Sequence, residues 1–73
     1  MRYAVVIERA AGNYSAYVPD LPGCVATGRS VEEVTREIAE AISFHIEDIR
    51  SRGLPVPPPG TLVDYVDAVV PVA

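Results

Sequence analysis

The sequence has few of the residues from which many protein sites are built. It contains one cysteine, Cys24, one histidine, His45, and neither tryptophan nor lysine. A single cysteine excludes an internal disulfide, and with a single histidine it cannot supply the ligands of a structural zinc site within one chain. No apolar run approaches the roughly 20 residues of a membrane span, and the N-terminus lacks a signal-peptide pattern. We therefore expect a cytoplasmic protein without a metal site or a membrane contact.

Positive charge is also scarce. Six basic residues, all arginine, stand against ten acidic ones, which gives a net charge of −4. This balance argues against direct DNA or RNA binding, because a nucleic-acid surface needs a basic patch. The 73 residues form a single predicted domain, 1–73. A chain of this size without disulfides often completes its core by self-association, so we expect a homodimer or a higher homo-oligomer.

Alternating apolar residues predict three short strands in the first half of the chain. Residues 3–7 and 13–18 alternate on either side of a turn at Gly12, which indicates a hairpin. Residues 24–27 form a third strand that Gly28 closes. The loop between them is stiff, because proline removes ladder donors and Gly23 tolerates a positive φ. We interpret seven residues as fold-defining: Pro19, Asp20, Leu21, Pro22, Gly23, Cys24 and Ser30.

A long helix follows, and its two ends are marked in the sequence. Ser30 and Glu33 have the spacing of a capping box, in which the Ser30 hydroxyl accepts from the Glu33 amide and the Glu33 carboxylate from the Ser30 amide. An apolar stripe then predicts a helix to about Ser51, with Gly53 as its stop. Residues 54–60 form a proline-rich connector.

Residues 62–70 alternate again and predict a last strand beside the first hairpin, in a parallel crossover. The order β-β-β-α-β predicts a small α+β domain, in which one helix packs on a mostly antiparallel sheet. The segment 66–73 is apolar for a chain end. We expect another subunit to cover it, with Pro71 ending the strand pairing.

The polar residues assemble no recognisable catalytic site. Asp64 and Asp67 lie three apart on a predicted strand, so they point to opposite faces and cannot share a metal. No spacing suggests a catalytic triad, and no glycine-rich loop is present to hold phosphates. The sequence therefore predicts no catalytic residue, no metal ligand and no cofactor, and a protein that is not an enzyme.

The outer face of the helix is the most informative surface. An aromatic residue, Phe44, falls there among carboxylates, which is typical of an interface anchor with a charged rim. An acidic rim also accelerates the encounter with a basic partner. A solvated acidic face alone explains the glutamates. For Phe44 the alternative is that helix curvature or an oligomer contact buries the ring. The candidate partner-binding residues are Phe44, Glu33, Glu37, Glu40, Glu47 and Asp48.

One stretch of the sequence resembles a known family. From Tyr14 onwards the chain has the pattern Tyr-x-Ala-x-x-Pro-Asp-Leu-Pro-Gly-Cys, then Gly28, a capped helix opening in Glu-Glu, and Glu40-Ala41-Ile42. This pattern resembles the signature of HicB-like antitoxins of type II toxin–antitoxin systems. The resemblance implies the partly degraded, ribonuclease-H-like N-terminal domain of that family. Such a domain binds a small basic mRNA-cleaving toxin of the HicA type, blocks its active site and forms oligomers.

Two departures accompany the resemblance. The position after Gly28, often acidic in the family, is Arg29 here. Many family members also carry a C-terminal DNA-binding segment, whereas this sequence stops soon after the last predicted strand, so no such domain is expected.

Two other functions stay open. One is an orphan oligomeric regulatory module of the same fold, which senses a nucleotide or metabolite at a subunit interface. The other is a residual metal-dependent nuclease that uses Glu8, Asp20 or Asp64.

Overall fold

A computed structural model describes residues 1–72 and shows a three-stranded sheet followed by one helix. The strands are β1 (Val6–Ala10), β2 (Asn13–Tyr17) and β3 (Val25–Gly28), and the helix α1 spans Val31–Ser51. Both strand pairs are antiparallel, and the sheet order is β1-β2-β3. The predicted α+β class, the hairpin and the helix are confirmed. The first strand begins later than expected, because β2 supplies ladder partners only for residues 6–10.

The core lies between α1 and the last two strands. Ile7, Ala16 and Ala26 are in register across the sheet, so they share the face towards the helix. The helix packs on β3 and β2 and leaves this face of β1 largely uncovered. The buried apolar residues form a single small cluster: Ala16, Val18, Leu21, Cys24, Val34 and Ile38.

The loop from β2 to β3 inserts a side chain into this core. Leu21 is fully buried. Its amide donates to the Val18 carbonyl at 3.1 Å, and its own carbonyl accepts from the Cys24 amide at 3.0 Å. Gly23 has a φ of +83°, a conformation that side-chain-bearing residues rarely adopt. Short turns of this kind satisfy the loop's backbone groups while Leu21 points inward.

Both helix ends are capped. The Ser30 hydroxyl accepts from the Glu33 amide at 3.0 Å, as predicted. The Glu33 carboxylate, however, accepts from the Arg29 amide and not from that of Ser30, and the Arg29 guanidinium lies 3.6 Å from the same carboxylate. At the other end, Gly53 has a φ of +69°, and Leu54 donates to the Ile49 carbonyl at 3.2 Å, which is a Schellman motif.

The predicted last strand is not formed. In the part of the chain that the structure describes, residues 62–70 belong to no strand or helix, and they do not pair with β1. We call residues 62–72 the C-terminal arm. Its apolar side chains are exposed, with Leu62 at 95% and Val69 at 97% of full exposure, and the molecule is elongated, 57 × 28 × 16 Å. Ala73, the last residue of the segment expected to be covered, lies outside the described residues.

The connector before the arm is tied to the domain at two points, which fixes where the arm leaves it. The Tyr3 hydroxyl donates to the Pro57 carbonyl at 2.6 Å, and the Asp20 carboxylate holds Thr61. The residues that follow, Leu62 and Val63, are bulky and favour extended backbone.

Candidate partner-binding surface

One ridge of α1 combines an exposed aromatic ring with carboxylates. Phe44 is 76% exposed. Glu40 lies one helical turn before it, and Glu47 and Asp48 lie one turn after it, all of them exposed. Residues three and four apart are neighbours on a helix surface, so the three carboxylates surround the ring. We call these four residues the Phe44 ridge. The expectation that they share an outward face is confirmed by this placement.

A shallow groove runs beside the ring. It has a volume of about 220 Å³ and is lined by Phe44, Glu47, Asp48 and Ser51. Asp48 also pairs with Arg52 at 3.3 Å, one turn further on. An apolar ring beside exposed carboxylates suits a partner that brings an apolar contact and basic groups together.

The two remaining glutamates of the predicted set differ from the ridge in position. Glu37 is exposed two turns before Phe44 and extends the same face. Glu33 lies eleven residues away, roughly 16 Å along the helix axis at 1.5 Å per residue. Its carboxylate already caps the helix, and the Arg29 amide, with the nearby guanidinium, lowers the pKa of Glu33. Glu33 therefore stabilises the helix start.

Asp20 of the loop motif has a role that the sequence did not reveal. Its Oδ2 accepts from the amides of Gly60 and Thr61, both at 3.0 Å, and its Oδ1 accepts from the Thr61 hydroxyl at 2.9 Å. The Thr61 amide, followed by that of Gly60, lowers the pKa of Asp20. Of the other residues in the loop motif, Leu21 and Cys24 are buried in the core. Pro19, Pro22 and Gly23 are exposed.

The remaining candidates for chemistry are not brought together. The Cys24 thiol is buried, and burial raises its pKa, which disfavours the reactive thiolate. Among residues 1–72, no three His, Cys, Asp or Glu side chains lie close enough to hold a metal ion, so Glu8, Asp20 and Asp64 form no such cluster. No helix described in residues 1–72 is both long and apolar enough to cross a membrane.

A basic cleft at the hairpin end was missed by the sequence interpretation. It has a volume of about 240 Å³, and Arg9, Asn13, Tyr14 and Arg29 are among its lining residues. The Arg9 guanidinium lies 5.9 Å from the centre of the Tyr14 ring, a cation–π distance. The register Arg9↔Tyr14↔Gly28 brings the two arginines together, although they are far apart in the sequence. No local pattern signals such a pairing.

Comparison with known proteins identifies the family. The family described as HicB-like antitoxin of bacterial toxin–antitoxin system matches residues 3–70. A UPF0150 protein of Synechocystis sp. is 35% identical over 69 residues, covering 93% of this chain and 87% of its own. A UPF0150 protein of Helicobacter pylori is 46% identical over 46 residues, covering 63% and 64%. An uncharacterised 14.9 kDa protein of Haemophilus phage HP1 is 34% identical over 67 residues.

The chain spans 50% of the length of that phage protein, and the match covers 92% of the present chain. Among solved structures, a chain of the HicA3 and HicB3 toxin–antitoxin complex superposes with a TM-score of 0.71 at 30% identity, covering 81% of this chain and 70% of that one. The matched residues 3–70 include the strands, the helix, the connector and most of the arm. The chain belongs to the HicB-like antitoxin family of bacterial toxin–antitoxin systems.

Proposed function

We propose that this chain is the antitoxin part of a toxin–antitoxin pair, and that it neutralises a small basic mRNA-cleaving toxin of the HicA type by binding to it. The observation that carries the proposal is the family match over residues 3–70. The similar chain in the HicA3 and HicB3 complex supports the choice of a HicA-type partner. Such a protein acts in the cytoplasm, where mRNA is translated, and acts by contact and not by catalysis.

The Phe44 ridge is the surface that we propose for the toxin. An exposed phenylalanine supplies a large apolar contact area, and aromatic anchors inside a charged rim dominate many interfaces. The surrounding carboxylates complement a basic surface that otherwise binds RNA phosphates. The net charge of −4 has the same sign and strengthens long-range attraction to a cationic protein.

Binding of the small basic protein encoded beside this gene tests both the partner and the surface. We expect the two proteins to co-purify and the antitoxin to stop RNA cleavage by the toxin. Phe44→Glu removes the aromatic anchor and adds a carboxylate, so it is expected to weaken the complex at least tenfold. Val25→Glu is the matched control, because Val25 is also an exposed apolar residue, at 65%, but lies on β3 away from the ridge.

Two results contradict the proposal in different ways. If no basic protein binds the chain, the antitoxin function is wrong. If the toxin binds Phe44→Glu as tightly as the unmodified chain while Val25→Glu weakens it, the function stands and the surface is wrong.

The basic cleft favours a second candidate function. Two guanidinium groups in one cleft suit a small anion, as expected for an orphan regulatory module that senses a nucleotide or metabolite. A rise in melting temperature with inorganic phosphate or ATP, in the absence of a protein partner, supports this alternative. An unchanged melting temperature removes it.

A further inference from the structure

The basic cleft is built from two separate segments of the fold. Arg9, Asn13 and Tyr14 line it from the hairpin of β1 and β2, and Arg29 lines it from the link between β3 and α1. In the sheet register Arg9 lies opposite Tyr14, and Tyr14 lies opposite Gly28, the residue before Arg29. Both strand pairings therefore hold the two arginines at the same end of the sheet.

The charge of the cleft is opposite to that of the whole chain. Ten residues are acidic, yet among residues 1–72 the cleft is lined by two arginines and by no carboxylate. The ion pairs within that range join Arg29 to Glu33 and Arg52 to Asp48, so Arg9 pairs with no carboxylate there. The Arg29 side chain is 89% exposed, and its guanidinium lies 3.6 Å from the Glu33 carboxylate. An exposed pair of this kind is weak, so Arg29 is available to a second anion.

The cleft also contains hydrogen-bond donors that the fold does not use. Within residues 1–72, the Asn13 amide and the Tyr14 hydroxyl take part in no side-chain hydrogen bond. Both residues are half-buried. The Arg9 guanidinium lies 5.9 Å from the centre of the Tyr14 ring, which keeps it beside these donors. A donor-rich, positively charged cleft is complementary to an anion with several acceptor oxygens.

The size of the cleft and the number of donors favour one class of anion. The volume of about 240 Å³ lies below the roughly 300–1,000 Å³ of pockets for drug-sized ligands, so the ligand is small. A phosphate monoester presents three acceptor oxygens and a charge of about −1.5 to −2 at pH 7, and guanidinium groups bind phosphate in a bidentate manner. A carboxylate offers only two oxygens. A long polyanion is repelled by the net charge of −4.

We propose that the basic cleft binds a small phosphate monoester, a sugar phosphate or a mononucleotide, through the guanidinium groups of Arg9 and Arg29. The Tyr14 hydroxyl and the Asn13 amide are the further donors. This inference rests on the second candidate function and deepens it by naming the ligand class and the residues that bind it. It does not rest on the antitoxin function, because Phe44 lies fourteen residues after the helix cap that follows Arg29, roughly 21 Å along the helix axis.

Titration of the full chain with defined probes tests the ligand class. Amide NMR spectra are recorded at constant ionic strength with inorganic phosphate, glycerol phosphate, 5′-AMP and, as the probe without a phosphate, adenosine. The three phosphate probes are expected to cause saturable shifts at residues 9–14 and 28–30, and adenosine none. Either no saturable shift with any phosphate probe or equal affinity for adenosine and 5′-AMP overturns the proposal. A 5′-phosphorylated RNA oligonucleotide that binds more tightly than 5′-AMP also overturns it.

Single substitutions test the site. Arg9→Gln and Arg29→Gln each remove one guanidinium group, and the latter keeps the backbone amide that the Glu33 carboxylate caps. Each is expected to raise the dissociation constant for 5′-AMP at least tenfold. Arg50→Gln is the matched control, because it removes the same charge from an exposed position in the last turn of α1. Equal weakening in all three variants means that net charge and not the cleft binds the probe, which overturns the site.

Circular dichroism shows whether each variant keeps its helix, and Arg29→Gln decides the case if Arg9→Gln does not fold. The outcome is separable from both candidate functions. Arg9→Gln is expected to bind the toxin as tightly as the unmodified chain, so a chain that binds the toxin and no phosphate ester keeps the antitoxin function and overturns the cleft. A melting shift with ATP that survives both Arg9→Gln and Arg29→Gln keeps the second candidate function and overturns this site.

Discussion

Asp20 binds Thr61 through both oxygens of its carboxylate. Oδ2 accepts from the Thr61 amide at 3.0 Å, and Oδ1 accepts from the Thr61 hydroxyl at 2.9 Å. The two residues are 41 positions apart, so this contact ties the loop between β2 and β3 to the base of the C-terminal arm. The acidic residue of the loop motif thus fixes where the arm leaves the domain.

Removing the Asp20 carboxylate is expected to release the connector and leave the fold intact. In Asp20→Ala the amides of Gly60 and Thr61 lose their acceptor, whereas the buried cluster around Leu21 is not touched. Hydrogen exchange at these two amides is expected to become at least tenfold faster. Asp64→Ala is the matched control, because Asp64 accepts only from the adjacent Tyr65 amide. Equal exchange rates in the two variants contradict the assignment.

The same contact predicts a pH dependence. The Thr61 and Gly60 amides lower the pKa of Asp20 below its ordinary value of 3.8. A carboxyl group with a lowered folded pKa contributes stability above its unfolded pKa and loses that contribution as the pH falls through the folded pKa. The anchor is therefore expected to be intact at pH 7 and to be lost below pH 3.8.

Proton chemical shifts of the Gly60 and Thr61 amides measure this transition. They are expected to titrate together with a midpoint below 3.8, and the step is expected to vanish in Asp20→Ala. A midpoint at or above 3.8 contradicts the lowered pKa.

Gly28 is predicted to be intolerant of any side chain. A Cβ atom there would lie 2.6 Å from the Val34 backbone nitrogen and 2.9 Å from its Cα, where β3 approaches α1. Gly28→Ala forces the strand and the helix apart and is expected to cost about 1–3 kcal/mol of unfolding free energy, the usual range for overpacking. Gly60→Ala is the control, since a Cβ at Gly60 meets no atom within 4 Å. Urea denaturation gives both values, and equal stabilities contradict the predicted close contact.

The local parts of the fold were predictable because their signals are local. The Ser30 hydroxyl and Gly53 mark the helix ends through contacts within a few residues, and both were correctly identified. The outward position of Phe44 follows from helical periodicity in the same way. That it binds a partner stays a prediction.

Features that depend on distant residues were missed or predicted wrongly. No sequence pattern predicts that Asp20 contacts Thr61 or that Arg9 and Arg29 line the same cleft. Only the folded chain brings these residues together. The segment 62–70 was wrongly expected to pair within its own chain. Alternation shows that a segment suits a sheet, but it does not identify the strand with which the segment pairs.

The kinetics of toxin binding are expected to distinguish the contribution of the ridge carboxylates from the contribution of the Phe44 ring. Glu40 and Glu47 are exposed carboxylates, so we expect them to act mainly on the rate of encounter; Phe44, if the toxin covers its ring as proposed, is expected to act on dissociation. The double variant Glu40→Gln/Glu47→Gln is expected to lower the association rate several-fold at low salt. That difference is expected to disappear near 1 M salt, where the Debye length is about 3 Å.

Phe44→Ala is expected to leave the association rate nearly unchanged and to raise the dissociation rate at least tenfold, about 1.4 kcal/mol. Glu32→Gln is the control for charge, because Glu32 is exposed on α1 but lies twelve residues before Phe44, about 18 Å along the helix axis. Surface plasmon resonance at several salt concentrations measures both rates. If Glu32→Gln slows association as much as the replacement of one ridge glutamate by glutamine does, the toxin is attracted by the net charge and not by the ridge. If Phe44→Ala leaves the dissociation rate unchanged, the ring does not contact the toxin.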